Sequence, residues 1–130
     1  MLDKILCVDD DPITLMLYKM VISKAQFATK IDTAQNGEEA LDYFKQYETG
    51  DVSYPKLIFL DLNMPIMGGW EFLDHFKEEP FTPFSDIKVI VLSSTIDPHD
   101  IEKSKTYPMV IDFQSKPISR EMLEDLKKIF

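Results

Sequence analysis

Polar side chains that could carry out chemistry follow several short apolar runs of the sequence. They offer carboxylate, hydroxyl and ammonium groups: Asp9 and Asp10 after 5–8, Asp61 after 57–60, Ser93 after 89–92, and Lys116 beyond 110–113. In an open parallel sheet the carboxyl ends of the strands share one edge, so these groups should meet there. Three carboxylates so close together repel one another, which implies a bound cation or a shared proton. A ligand set made only of oxygen favours a hard ion such as Mg²⁺.

The apolar runs alternate with stretches of helical periodicity. They lie near residues 4–8, 30–34, 57–60, 87–92 and 109–113. Such alternation is typical of an α/β fold with a parallel sheet, because a crossover between parallel strands usually contains a helix. A chain of 130 residues has the size of one ordinary domain, so we expect a single domain over 1–130.

Capping residues mark the predicted starts of four helices. The candidate caps are Asp11 before Pro12, Asn36 before Glu39, Asp97 before Pro98, and Ser119. A long loop that contains proline, residues 78–86, is expected before the fourth strand.

The helices differ in the apolar residues that they offer. In the first, Ile13, Leu17 and Met20 recur at helical spacing. The fourth offers little beyond Ile101, so it should be the least firmly packed helix. The fifth is predicted to direct four side chains inward: Met122, Leu123, Leu126 and Phe130.

The charge and cysteine content narrow the possible partners. With 14 basic and 23 acidic residues the net charge is −9, which repels nucleic acid and anionic membranes and leaves proteins as the expected partners. The single cysteine, Cys7, excludes an internal disulfide and is expected to be a buried, inert thiol. The sequence shows no signal peptide or membrane span, so a cytoplasmic location is expected.

The order of these residues along the chain is similar to that of a known family. The following segments each end or follow a predicted strand: Asp9-Asp10, 60–69, Ser93 and Lys116-Pro117. Together they resemble the receiver domain of two-component response regulators, the CheY-like family, over residues 4–130. The resemblance implies a doubly wound (βα)5 fold with a five-stranded parallel sheet in the flavodoxin-like order 2-1-3-4-5. We expect a stand-alone receiver with no effector domain.

The resemblance also implies roles at the sheet edge. It makes Asp61 the phosphoacceptor for a phosphoryl group from a phosphohistidine, and Lys116 the partner of a phosphoryl oxygen. It implies Mg²⁺ as cofactor, bound by Asp10, Asp61 and the backbone carbonyl of Asn63, with Asp9 acting through water. The expected protein is a phosphoacceptor that assists its own phosphorylation and dephosphorylation, and not a classical enzyme.

Four further positions are implied to act as a switch or to set the lifetime of the phosphoryl group. By resemblance, the hydroxyl of Ser93 donates to the phosphoryl group and Phe113 is the switch aromatic. Asn63 and Thr95 flank the path of the attacking water and should modulate hydrolysis.

The implied partners are proteins on two sides of a signalling step. A sensor histidine kinase or a phosphotransfer protein would supply the phosphoryl group. A downstream protein would bind the face formed by the fourth helix, fifth strand and fifth helix, and a weak dimer of the activated chain is left open. Exposed residues of that face should include Glu102, Lys105, Tyr107 and Arg120.

Three other functions fit parts of the sequence. A Mg²⁺-dependent phosphohydrolase usually has a second Asp two residues after its nucleophile, where this chain has Asn63. A flavodoxin-like carrier needs glycines and free N–H groups after the first strand, where this chain has Asp at 9–11. A receiver that has lost phosphorylation is disfavoured because every expected site residue is present.

Overall fold

Strands and helices alternate along the chain in the structure, a computed structural model that describes residues 1–130. The strands are β1 (Leu2–Val8), β2 (Ala28–Ala34), β3 (Leu57–Asp61), β4 (Lys88–Ser93) and β5 (Val110–Ser115). The helices are α1 (Pro12–Lys24), α2 (Gly37–Lys45), α3 (Gly69–Phe76), α4 (Pro98–Ser104) and α5 (Arg120–Leu126). A short 3₁₀ helix over Thr82–Phe84 precedes β4.

The five strands form one parallel sheet in the order β2-β1-β3-β4-β5. Where β3 and β4 end, Asp61 lies opposite Leu92, and where β4 and β5 end, Ser93 lies opposite Ser115. The carboxyl ends of these strands therefore share one edge of the sheet. The structure confirms the predicted fold class and strand order.

Two apolar cores cover the opposite faces of the sheet. Because successive residues of a strand point to opposite faces, Leu6 and Val8 join one core while Ile5 and Cys7 join the other. The first core packs α2 and α3 on the sheet and is rich in aromatic rings, and the second packs α1 and α5. β3 is buried along its whole length, as expected for a central strand covered on both faces.

Two expectations drawn from the composition can be compared with the structure. Cys7 is completely buried, and this burial raises the pKa of its thiol, so the reactive thiolate is disfavoured. No helix combines the length and apolar character needed to cross a membrane.

Side-chain caps begin four helices where they were predicted. Each cap accepts a hydrogen bond from a backbone N–H of the first turn: Asp11 from Ile13, Asn36 from Glu39, Asp97 from His99, and Ser119 from Met122. These local bonds satisfy N–H groups that the helix itself leaves unpaired, which is why the sequence alone locates them.

The apolar residues that indicate α1 do not face the sheet. Ile13, Leu17 and Met20 are 63%, 46% and 45% exposed. α1 is apolar on most of its circumference, so its periodicity does not select the face that meets the sheet. The buried residues are Leu15, Tyr18 and Ile22.

The prediction for the fifth helix is correct for three residues and wrong for one. Leu123 and Leu126 are buried and Met122 is half-buried. Phe130 is 39% exposed, because α5 ends at Leu126 and helical spacing does not extend beyond that point.

α4 has the thin apolar face that was predicted, but one neighbouring residue is not where it was expected. Its buried residue is Ser104. Tyr107, predicted to be exposed, is only 5% exposed and stacks on Trp70 of α3 with ring centroids 5.5 Å apart. That prediction was wrong because a contact with a ring from another helix leaves no local signal. The other residues predicted for this face are exposed: Glu102, Lys105 and Arg120.

The loop before β4 packs into the aromatic core. Phe81 and Phe84 are buried. The ring of Phe84 lies 5.1 Å from that of Phe44 and 4.9 Å from that of Tyr54. The loop therefore closes the amino end of the sheet, opposite the edge where the polar residues meet.

Candidate functional site

Side chains that were predicted to meet lie together at the carboxyl edge of the sheet. Asp9 and Asp10 follow β1, Asp61 ends β3, Ser93 ends β4, and Lys116 follows β5. One carboxylate oxygen from each of the three aspartates lies within 4.8 Å of the other two. Strand order explains the cluster, because β1 and β3 are neighbours in the sheet although they are far apart in sequence.

Two of the three carboxylates are buried. Asp9 is 1% exposed and Asp61 is 6% exposed, whereas Asp10 is exposed at the rim of the site. A buried carboxylate loses its hydration and is tolerated only with hydrogen-bond donors or positive charge around it. The site therefore needs cations.

Lys116 supplies the ammonium group that contacts the cluster. Its Nζ donates to Oδ2 of Asp9 at 2.6 Å and lies 3.3 Å from Oδ1 of Asp61. Burial acts to lower the pKa of Lys116, but the hydrogen bond to Asp9 and the charge of Asp61 outweigh burial and raise this pKa. Lys116 is therefore held as a cation between the two buried carboxylates.

The carboxylates outnumber the ammonium group. Burial raises the pKa of Asp61, Lys116 opposes this rise, and the like charge of Asp9 adds to it, so that the pKa stays above its ordinary value. A second positive charge would relieve the cluster. The three side chains offer oxygen ligands only, which suits a hard divalent ion such as Mg²⁺.

Backbone contacts hold the site in place. The N–H of Asp11 donates to Oδ1 of Asp9 at 3.0 Å. Gly69 begins α3 directly against the end of β3, and a Cβ at this position would lie 2.6 Å from the carbonyl oxygen of Asp61. The N–H of Gly69 also donates to the carbonyl of Leu62 at 2.9 Å. A side chain at position 69 would therefore displace the loop that follows Asp61.

The residues predicted to contact the phosphoryl group or the attacking water lie at the same edge. Ser93 is buried, and its hydroxyl donates to the backbone carbonyl of Thr95 at 2.7 Å. Thr95 and Asn63 are exposed. The N–H of Lys116 donates to the carbonyl of Ser93 at 2.8 Å, which ties the ends of β4 and β5 together. The hydroxyl of Ser93 is thus engaged with the backbone and not with the acidic cluster.

Phe113, the predicted switch aromatic, lies in β5, three residues before Lys116. It is half-buried and packs against the aromatic core on the α4 side of the sheet. A cavity of about 260 Å³ between α4 and β5 is lined in part by Ile101, Ser104 and Phe113. The ring therefore has space beside it.

Sequence reasoning missed Tyr18 of α1. Its side chain is 2% exposed, and its hydroxyl has no hydrogen-bond partner. Burial raises the pKa of Tyr18, and the charge of Asp9 raises it further. The available signal was a polar aromatic residue within a helix that begins directly behind the acidic pair.

Comparisons of sequence agree with this arrangement. The chain matches the family described as response regulator receiver domain over residues 5–128. It is 31% identical over 124 residues to the probable methanogenesis regulatory protein FilR2 of Methanothrix harundinacea, covering 95% of this chain and 76% of the relative. It is also 31% identical over 125 residues to an uncharacterized response regulatory protein of Staphylococcus epidermidis, covering 96% of this chain and 45% of the relative. The chain thus spans less than half the length of the second relative.

Solved structures share the fold over nearly the whole chain. A two-component response regulator from Cytophaga hutchinsonii superposes with a TM-score of 0.89 at 30% identity, covering 98% of this chain and 96% of that chain. A two-component response regulator from Legionella pneumophila superposes with a TM-score of 0.82 at 29% identity, covering 99% and 97%. Sequence match, fold and acidic site agree: the chain belongs to the response regulator receiver domain family.

Proposed function

We propose that this chain is a stand-alone receiver that accepts a phosphoryl group on Asp61 and then changes its contacts with other proteins. The observation that carries the proposal is the buried Asp61 carboxylate beside the ammonium of Lys116, within a cluster of carboxylates. Members of the receiver family are phosphoacceptors and not classical enzymes. The proposed donor is a phosphohistidine on a histidine kinase or phosphotransfer protein. A product much larger than 15.1 kDa in native cells would contradict the stand-alone organisation.

In the proposed reaction a carboxylate oxygen of Asp61 attacks the phosphorus of the phosphohistidine. A new O–P bond gives the aspartyl phosphate, and the P–N bond breaks, with its electron pair leaving on the imidazole nitrogen, which takes up a proton. Lys116 lies 3.3 Å from Asp61 and can pair with an oxygen of the transferred group. Phosphoryl transfer depends mainly on in-line positioning and on neutralising charge, and the strand ends supply a rigid frame for both.

The acidic cluster fits Mg²⁺ as the cofactor. Receiver domains bind Mg²⁺ through an acidic cluster, and Asp9, Asp10 and Asp61 form such a group here. The proposed direct ligands are Asp10, Asp61 and the backbone carbonyl of Asn63, with Asp9 acting through water. When bound, the ion supplies positive charge that offsets the phosphoryl oxygens. Addition of Mg²⁺ should shift the amide resonances of these residues, and unchanged resonances would refute the ligand set.

Exposed apolar side chains on α1 support docking of the donor protein beside the site. Ile13, Met16, Leu17 and Met20 are 63%, 56%, 46% and 45% exposed at helical spacing. α1 begins directly behind the acidic pair, so the stripe belongs to a helix next to the site. An exposed apolar stripe of this kind suits an apolar surface on a partner.

Leu17→Lys tests this docking surface. The variant should lower the rate of transfer from the protein donor by about tenfold, because a charge now opposes an apolar contact. Its reaction with a small phosphodonor should not change. Ile129→Lys, at an exposed position outside the stripe, is the matched control. An equal loss with both donors would mean that the substitution damages the site, and docking on α1 would be rejected.

The proposed output surface consists of α4, β5 and α5. The hydroxyl of Ser93 now donates to the carbonyl of Thr95. If it donates to the phosphoryl group instead, the side chain moves and vacates space that Phe113 can fill. Exposed side chains of this surface carry both signs of charge, as at Glu102 and Arg120. On a chain with a net charge of −9, such a surface suits a protein partner and not nucleic acid.

Beryllofluoride, a mimic of the phosphoryl group, tests this output. Changes in amide exchange on its addition should concentrate in residues 93–120. Changes confined to α1 and α2 would contradict the proposal. Sedimentation with and without beryllofluoride separates binding of a downstream protein from formation of a weak dimer.

Asn63 and Thr95 are proposed to set the lifetime of the aspartyl phosphate. Both are exposed at the site edge, and neither is a strong base. Exchanging either residue should change the decay rate by about severalfold, because it alters how the attacking water is positioned. A decay rate that neither exchange alters would show that Asn63 and Thr95 have no part in the mechanism.

Phosphorylation with Asp61→Asn is the central experiment. Wild type incubated with Mg²⁺ and a small phosphodonor should gain the mass of one phosphoryl group, and Asp61→Asn should gain none. Asp42→Asn, at an exposed carboxylate on α2, is the matched control and should behave as wild type. Lys116→Ala should still accept the group but fail to change conformation. Phosphate recovered on another residue of the intact protein would overturn the assignment of Asp61.

A further inference from the structure

Side chains at the junction of α3 and α4 form a cluster to which the proposed reaction assigns no role. The ring of Trp70 stacks on that of Tyr107, with centroids 5.5 Å apart and an angle of 20° between the ring planes. The indole Nε1 of Trp70 donates to Asp100 at 3.3 Å, and the hydroxyl of Tyr107 donates to Asp74 at 2.6 Å. Each contact joins a residue of α3 to a residue of α4 or of the turn that follows α4.

Two lysine side chains add contacts across the same junction. Nζ of Lys103 on α4 lies 5.0 Å from the centroid of the Trp70 ring. Nζ of Lys77, the residue that follows α3, lies 5.2 Å from the centroid of the Tyr107 ring. A cation near the face of an aromatic ring is attracted by the electrons of that ring. The cluster therefore attaches α4 to α3 through rings, hydrogen bonds and charges instead of apolar burial.

The two helices differ in their freedom to move. α3 is fixed in the core, because Phe72 and Leu73 are fully buried. α4 buries only Ser104, and a cavity of about 260 Å³ lies between α4 and β5. The α4 residues that line this cavity, which include Ile101 and Lys105, are not those that contact α3. The contacts with α3 thus oppose a movement of α4, and the space for such a movement lies on the β5 side.

We propose that this cluster is a latch, which holds α4 against α3 in the unphosphorylated protein and opens when α4 shifts. The latch consists of Trp70, Asp74, Lys77, Asp100, Lys103 and Tyr107. The inference rests on the proposed function, in which phosphorylation changes the surface formed by α4, β5 and α5. Contacts that exist in only one of two states raise the population of that state. The latch therefore keeps the shifted state rare and lowers the apparent affinity for a phosphoryl mimic, which binds that state better.

Two substitutions that each remove one hydrogen bond and keep an aromatic ring test the latch. Tyr107→Phe removes the hydroxyl that bonds to Asp74, and Trp70→Phe removes the indole N–H that bonds to Asp100. Each variant should bind beryllofluoride with Mg²⁺ about fivefold more tightly than wild type, as measured by titration calorimetry. The reason is that losing one hydrogen bond of the latched state raises the relative population of the shifted state by the same factor.

Tyr54→Phe is the matched control. Tyr54 is also buried, its hydroxyl donates to Asp86 at 2.7 Å, and Nζ of Lys56 lies 3.6 Å from the centroid of its ring. It therefore repeats the contacts of Tyr107 at a position before β3, outside the junction of α3 and α4. Tyr54→Phe should lower the folding equilibrium constant by a factor similar to that of Tyr107→Phe and leave the affinity for beryllofluoride unchanged.

The outcomes separate a latch from ordinary stabilising contacts. Unchanged or weaker affinity in either latch variant, or an equal gain in Tyr54→Phe, would overturn the inference. Amide exchange without beryllofluoride is a second measurement, and it should quicken across α4 in both latch variants and not in Tyr54→Phe. Unchanged exchange across α4 would also overturn the inference. If wild type does not bind beryllofluoride at all, the proposed function fails, whereas amide exchange still decides whether the cluster restrains α4.

Discussion

α1 and α4 both begin shortly after a strand that carries a site residue, yet they are held to the protein in different ways. α1 has 13 residues and buries Leu15, Tyr18 and Ile22 in the core that it shares with α5. α4 has 7 residues and buries only Ser104. Apolar burial scales with the area removed from water, so α1 is anchored far more strongly than α4.

Polar and aromatic contacts hold α4 instead. The indole Nε1 of Trp70 donates to Asp100 at 3.3 Å, and Nζ of Lys103 lies 5.0 Å from the Trp70 ring. Tyr107, just beyond α4, stacks on Trp70 and donates to Asp74 at 2.6 Å. The hydrogen bonds among these contacts can be exchanged for water at small net cost. The difference teaches that α1 can serve as a fixed support for the acidic pair while α4 can shift.

Truncation of one isoleucine on each helix should give the largest contrast. Ile22→Ala should lower the free energy of unfolding by about 2–4 kcal/mol, because it leaves a cavity in a fully buried site. Ile101→Ala, at a half-buried position on α4, should lower the free energy of unfolding by about 1 kcal/mol or less. Urea unfolding of both variants measures the difference. Equal losses would break the comparison between the two helices.

Tyr107→Phe should sharpen the comparison with a smaller effect. It removes the hydroxyl that bonds to Asp74 but keeps the ring on Trp70, so we expect a loss of about 1 kcal/mol. Amide exchange should quicken across residues 98–107 and stay unchanged across α1. Faster exchange in both helices would show that α4 is not the separately mobile element.

Asp61→Asn should give the smallest effect on stability, and one with a distinct pH dependence. The pKa of Asp61 is raised above its ordinary value of 3.8, first by burial, so the folded protein binds this proton more tightly than the unfolded chain does. Wild type without Mg²⁺ therefore loses stability as the pH rises from 3.8 through the raised pKa, and Asp61→Asn lacks this loss. At neutral pH the variant should therefore be more stable than wild type.

Urea unfolding at a series of pH values without Mg²⁺ checks that expectation. Asp125→Asn, at an exposed carboxylate on α5, is the control and should follow the wild-type curve. A variant less stable than wild type at neutral pH would mean that Lys116 already compensates the acidic cluster in full.

The site could be predicted because it depends on local patterns. Apolar runs identify strands, and the carboxyl ends of parallel strands share an edge whatever the loops between them do. The residues after those runs, Asp9, Asp61 and Lys116, were therefore assembled correctly from the sequence. Helix caps were equally predictable, since a cap bonds to a backbone group only two or three residues away.

By itself the sequence determined the fold class, the helix starts and the cluster at the sheet edge. Only the tertiary structure decided which side of α1 is buried, because that helix is apolar on most sides and the sheet selects one of them. It also decided the burial of Tyr107 on Trp70. These contacts join different elements of the fold, and the free energy that favours them comes from surfaces that meet only after the chain has folded.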